Sequence, residues 1–186
     1  MLQRISTTGD EPVSLADAKV AARVDGDELD ALISGYITAA RQQAEQITGR
    51  AYRAGTWAWT GSDWPCDRIA ILGVAAARVK RWDGSALVTV APQGYVCAPA
   101  ADRPGTEVVP ALGAAWPDLP SIAAGARVVI ELDVAVDPDD VGDSVKTYIK
   151  AQVASWLKNP EAMVSSSLVR NPLLDRLLDS ELVIYC

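Results

Sequence analysis

From Leu29 to Ile47, apolar side chains recur at steps of three and four: Leu29, Leu32, Ile33, Tyr36, Ile37, Ala40, Ala44 and Ile47. Only a helix gathers that spacing onto one face, so the chain must bury a long helical stripe against something else. Asp30, Ser34, Thr38, Arg41, Gln42 and Glu45 are expected on the opposite, polar face. Gly49 stands where a left-handed residue ends helices. A shorter helix precedes it, from about Leu15 to Val24. Ser14 is placed to cap it, with Asp17 three residues on to return the bond. Asp25-Gly26-Asp27 separates the two helices. Burial of the large apolar side chains, roughly 1.5 to 3 kcal/mol each, dominates the energetics of this region.

The period then changes. Thr56-Trp57-Ala58-Trp59-Thr60 alternates, Ile69 to Leu72 is a short apolar run, and Ala77 to Trp82 passes through Asp83-Gly84 into Ala86 to Val90. An Asp-Gly between two such runs marks a hairpin. Pro99, Pro104, Pro110, Pro117 and Pro120 deny the tract from Ala98 to Ala126 any long helix, and it reads as an extended arm. Arg127 to Val136 is β-branched and is expected to close the sheet. A third helix, capped by Asp139 or Asp140, carries Val141, Val145, Tyr148, Ile149, Val153, Trp156 and Leu157 on one face and stops at Asn159-Pro160. Leu173 to Leu178 forms a short amphipathic turn before an apolar end, Leu182 to Cys186.

These elements define an α+β chain, expected to be mainly helical. An N-terminal helix pair and a C-terminal helix pack with a small antiparallel β-sheet insertion. The expected organisation is one domain over 1–186: a helical pair at 1–50, a β-rich insertion at 51–137 with the arm at 98–126, a helix at 138–162 and a tail at 163–186.

Composition removes several functions. The chain has no histidine, which takes away the commonest metal ligand and the commonest general base at neutral pH. Its cysteines, Cys66, Cys97 and Cys186, are odd in number and lack the close spacing of a zinc site. With 17 basic against 24 acidic residues, the net charge of −7 argues against a long track for gripping phosphates. No run approaches the ~20 apolar residues of a membrane span, and no secretory leader is expected.

The residues leaving the long helix carry a resemblance. Ala40-Arg41, Glu45 and Thr48-Gly49-Arg50-Ala51-Tyr52, with Thr56-Trp57 just after, are similar to the helix end and sheet start of the head-tail connector, or adaptor, family of tailed bacteriophages. Pro12 to Lys19, Arg23-Val24-Asp25 and Glu28 to Ile33 resemble that family's opening helices. Val79 to Gly84, Trp116-Pro117, Val141 to Ala162 and Leu173-Leu174 resemble its later elements. The arm, the break at Lys158 to Glu161 and the apolar end depart from its pattern.

The resemblance implies a non-enzymatic structural virion protein. Such a subunit forms a ring, usually a dodecamer, beneath the portal, lines part of the DNA channel and offers a platform to a stopper or tail-completion protein. DNA would be passing cargo, and neither a cofactor nor a membrane is expected. The place implied is the virion neck, after synthesis in the host bacterial cytoplasm. Asp30, Arg41, Glu45, Arg50, Leu182, Val183, Ile184 and Tyr185 are the expected contacts with neighbouring subunits or the portal.

Two other classes compete. The six tryptophans suit another phage neck or tail protein, or a carbohydrate-binding module with an aromatic platform. Trp156 on the third helix, and Trp57 with Trp59 on one side of one strand, read instead as core or interface. An enzyme using carboxylates alone would need two opposed acids, and no spacing marks them. Asp137, Asp139, Asp140 and Asp143 lack a calcium loop's spacing and read as a solvated helix start. Ser165-Ser166-Ser167 reads as a linker, and Arg50 as either an acidic-partner contact or a lock on the helix exit.

Overall fold

The computed structural model describes residues 1–101, 105–121, 125–158 and 172–182. The described residues divide into two compact units: Met1–Gly9 with Arg53–Ala135, and Asp10–Tyr52 with those between Val136 and Leu182. The first is β-rich and the second helical. The α+β class holds, but helices do not dominate: among the described residues four helices share the chain with seven strands. The difference comes from strands in stretches whose composition reads as loop.

In the helical unit, α1 (Leu15–Ala22) starts on Ser14, whose hydroxyl accepts the Asp17 amide at 3.1 Å. It ends two residues earlier than its apolar pattern suggests, because Arg23 adopts a left-handed conformation with φ 57°. Helix α2 (Asp30–Thr48) ends on Gly49, whose φ of 71° and amide bond to the Glu45 carbonyl follow the expected left-handed stop. Pro138–Asp140 form a 3-10 turn capped by the Asp137 carboxylate, and α3 (Asp143–Lys158) follows. A last short helix, α4 (Pro172–Asp175), runs into a 3-10 turn at Arg176–Glu181. Ile33, Ile37, Ala40 and Ala44 of α2 share a buried cluster with Val145, Tyr148, Ile149 and Val153 of α3 and with Leu178. The amphipathic turn near the end is thus part of the core.

In the β-rich unit, strands β1 (Leu2–Thr7), β2 (Gly55–Gly61), β3 (Val74–Trp82), β4 (Leu87–Thr89) and β7 (Val128–Val134) form an antiparallel sheet in the order β1-β2-β7-β3-β4. The strand expected to close the sheet therefore lies at its centre, hydrogen-bonded on both sides. Its burial alternates along all seven residues, with Val128, Ile130, Leu132 and Val134 inside. Trp57 and Trp59 pair with Leu132 and Ile130 on that same face.

The expected β3–β4 hairpin forms, its turn held by the Asp83 carboxylate, which accepts the amides of Ser85 and Ala86 at 2.8 and 2.9 Å. Those bonds hold Asp83 below the usual carboxylate pKa. Part of the arm is a second hairpin, β5 (Tyr95–Pro99) with β6 (Thr106–Pro110). The Tyr95 hydroxyl donates to the Ala77 carbonyl at 2.7 Å and ties it to β3. The apolar run at Ile69 to Leu72 makes one bridge, Ile69 to Thr106, and is otherwise irregular though Ile69 and Ile71 are buried. Edge strand β1 shifts register between Arg4 and Ser6, an irregularity of the kind that blunts sheet edges.

Candidate functional site

The residues that carry the family resemblance converge on the exit of α2. Arg41 is 1% exposed, and its guanidinium donates to Glu11 and to Glu45, both at 2.7 Å. Glu45 accepts the Tyr52 amide at 2.9 Å with its other oxygen, and Thr38 donates to Glu11 at 3.0 Å. The Thr48 hydroxyl donates to the Ala44 carbonyl at 2.8 Å and accepts the Arg50 amide at 3.3 Å. Arg50 donates through Nε to the Glu181 carbonyl at 2.9 Å, with the Glu181 carboxylate 3.9 Å away. Each polar group of the Thr-Gly-Arg turn thus has a stated task. Arg41 and Glu45 bind the helix to the incoming chain at Glu11 and to the outgoing chain at Tyr52, while Arg50 binds it to the C-terminal turn.

This placement corrects one expectation. The sequence places Arg41 and Glu45 on the polar, solvent-facing side of α2, yet both are buried inside their own subunit. Their angular position on α2 lies at the flank of the apolar stripe, and mutual neutralisation lets them enter the core. Glu11 completes the network, and nothing in its local sequence distinguishes it from a surface acid. Asp30 lies at the helix start and accepts from Lys19 at 2.7 Å; Lys19 also reaches Asp27 at 3.1 Å. Hydrogen bonds to Asp30 and then Asp27 raise the Lys19 pKa. Leu182 is 38% exposed at the end of the last turn, and Val183, Ile184 and Tyr185 lie outside the described residues, as do Ser165, Ser166 and Ser167. The structure does not bring Asp30, Arg41, Glu45 and Arg50 into one surface.

In the β-rich unit, Trp64 and Trp116 stack with centroids 4.2 Å apart and planes 6° from parallel. The Trp64 indole donates to the Pro117 carbonyl at 3.0 Å, and Arg127 donates to the carbonyls of Ser62 and Leu119. The rings cover one another, so they hold two loops together, and the shallow space beside them is lined by Asp63, Asp118 and Leu119. Trp57 lies under the Arg4 guanidinium at 4.6 Å, and Trp156 meets Tyr36 edge-on at 5.5 Å. Among the described residues no cluster of Cys, Asp or Glu could hold a metal ion, and no helix is long and apolar enough to cross a membrane.

The sheet face opposite its buried side carries an ionic lattice. Arg78 pairs with Glu131 at 3.1 Å and with Asp133 at 2.6 Å, Lys80 pairs with Glu131, and Thr56 donates to Asp133 at 2.8 Å. Lys80, then Arg78, lowers the Glu131 pKa; Arg78 is the main cause of the lowering at Asp133. A carboxylate whose folded pKa is lowered stabilises the fold above its unfolded pKa, and that contribution disappears as pH falls through the folded value. We expect the β-rich unit to weaken below about pH 4, by on the order of 1 kcal/mol or less because these groups are partly solvated. Urea midpoints measured against pH check this. The Arg78→Met variant should show a flatter acid slope, and an unchanged slope would remove the lattice as its cause.

Residues 12–90 match the family model described as phage gp6-like head-tail connector protein. The resemblance carried by the α2 exit is therefore borne out over the segment that holds α1, α2, β2 and β3. The fold is similar along its whole length to a chain from the neck of an empty gene transfer agent particle computed with C6 symmetry. That likeness has a TM-score of 0.77 and 18% identity, and covers 100% of this chain and 97% of the other. A chain from the virion of a native gene transfer agent particle gives 0.76 and 19%, and one from the native neck computed with C12 symmetry gives 0.69 and 20%, each with the same coverage. At these identities the likeness establishes the fold. No curated protein sequence matches the chain.

Proposed function

We propose that this chain is a structural subunit of a head-tail connector ring in the neck of a phage or phage-like particle. The observation that carries the reading is the connector-family match over 12–90, a segment that contains the Arg41–Glu45 exit network of α2. The whole-length fold likeness to gene transfer agent neck chains supports it, and the native neck computed with C12 symmetry supports a ring of twelve copies. In this role the subunit works without catalysis. It docks beneath the portal, surrounds part of the DNA path, and presents a platform to a stopper or tail-completion protein. Asp30, Arg50, Leu182 and the residues that follow Leu182 are proposed contacts with neighbours or portal. A chain of net charge −7 repeated around a channel repels the phosphate backbone and lets DNA pass as cargo.

The test is the mass of the purified protein by light scattering, alone and mixed with the portal of the same particle. Rings of about a dozen copies, or a complex that co-elutes with the portal, are expected. A chain that stays monomeric in both samples would overturn the reading.

A further inference from the structure

The outward face of α2 carries no charge. Between Ala31 and Thr48 the charged residues are Arg41 and Glu45, and both are buried. The exposed residues of α2 are Ala31, Leu32, Ser34, Gly35, Ala39, Gln42 and Gln46; Ala31, Gly35, Ala39, Gln42 and Gln46 form one stripe along the helix, with Leu32 beside it 44% exposed. A solvated helix face is ordinarily the charged one. Gly35 adds a second anomaly. It lies in mid-helix, where glycine weakens a helix relative to alanine, yet among the described residues a Cβ built on it would meet nothing within 4 Å. The subunit itself gives no reason for that glycine; the close approach of another helix does.

Helix α3 offers the matching surface. Beyond Asp143, Thr147, Ser155 and Lys158 are exposed on α3, and the half-buried Lys150, Ala151 and Ala154 lie between them, again small residues but here bordered by lysine. After Asp143 the charges on α3 are Lys146, Lys150 and Lys158, whereas Asp25, Asp27 and Glu28 stand exposed immediately before α2. Pairing like with like would set lysines against lysines or acids against acids. Pairing α2 with α3 sets opposite charges together.

We propose that the outward face of α2 in one copy packs against the outward face of α3 in the next. This contact is heterologous, the kind that propagates around an axis to closure. It rests on the ring reading above and specifies its interface. In an antiparallel crossing with Gly35 and Ala39 over Ala151 and Ala154, Lys158 falls on the same side as Glu28. The small residues let the axes approach to about 8 Å.

Gly35→Glu separates assembly from folding. The site is exposed and glutamate is the better helix former, so the variant should melt at the wild-type temperature or above it while failing to form rings in light scattering. Glu28→Lys and Lys158→Glu should each weaken assembly, and the double reversal should restore it. Gly35→Glu rings of wild-type mass, or charge reversals without effect alone or together, would overturn the interface while leaving the ring reading intact. A wild-type chain that stays monomeric with and without the portal would instead overturn the ring reading, and the interface with it.

Discussion

Replacing Arg41 with methionine should cost the protein about 3–5 kcal/mol, seen as a lowered urea midpoint, because it strands a carboxylate inside the helical unit. Glu45 is 7% exposed at its side chain and would lose the cation at its Oε2 while keeping the Tyr52 amide on its other oxygen. Glu11, at 18%, can turn toward water more easily, so the loss centres on Glu45. The companion variant Arg41→Met with Glu45→Gln should recover more than half of the loss, since a neutral amide can still accept from Tyr52 without a buried charge. If the single variant loses less than about 1 kcal/mol, water reaches Glu45 and the network is not the lock described here.

Ile33→Asp should unfold the helical unit altogether. Ile33 is fully buried in the cluster that joins α2 to α3, and an aspartate there must either remain ionised in an apolar site or take up a proton. The lost burial adds about 2–3 kcal/mol to that penalty. The sum approaches the whole stability of a small domain, roughly 5–15 kcal/mol. Far-UV circular dichroism should show the loss of helix at room temperature. Two residues on, Gly35 faces the other way and tolerates glutamate, so the pair of substitutions reads out the two sides of one helix. A folded Ile33→Asp protein would mean that the cluster can open to admit water.

The helices were legible because periodicity over many residues is a strong signal. Gly49 and Ser14 marked ends that the structure keeps, and only Arg23 shortened α1 through a backbone conformation that side chains rarely favour. The strands were harder. In β1 most residues are exposed and the apolar positions do not alternate cleanly, since Ile5 sits at the register shift of an edge. In β5 and β6 the prolines at the strand ends hid five-residue partners between them. The residues of β7 were recognised, but its central place follows from pairing with β2 and β3, which local pattern does not reveal. Of the expected contact residues, Arg41 and Glu45 turn inward instead of to solvent. Arg41 and Glu45 looked like surface charges because the groups that hold them, Glu11 and the Tyr52 amide, lie in other segments. Gly35, neutral in a polar stretch, gave a signal only once the neighbouring charges were known to be buried.

The order of the strands in the sheet has a consequence for biosynthesis. The two halves of the sheet, β1 with β2 and β3 with β4, meet only through β7, which is the last of the seven strands to be translated. At about 5–20 residues per second, the nascent chain holds its earlier strands without their central partner for several seconds. Sheet assembly is therefore a late and largely non-local event, expected to fold slowly for its size and to expose unpaired strand edges to chaperones before β7 leaves the ribosome.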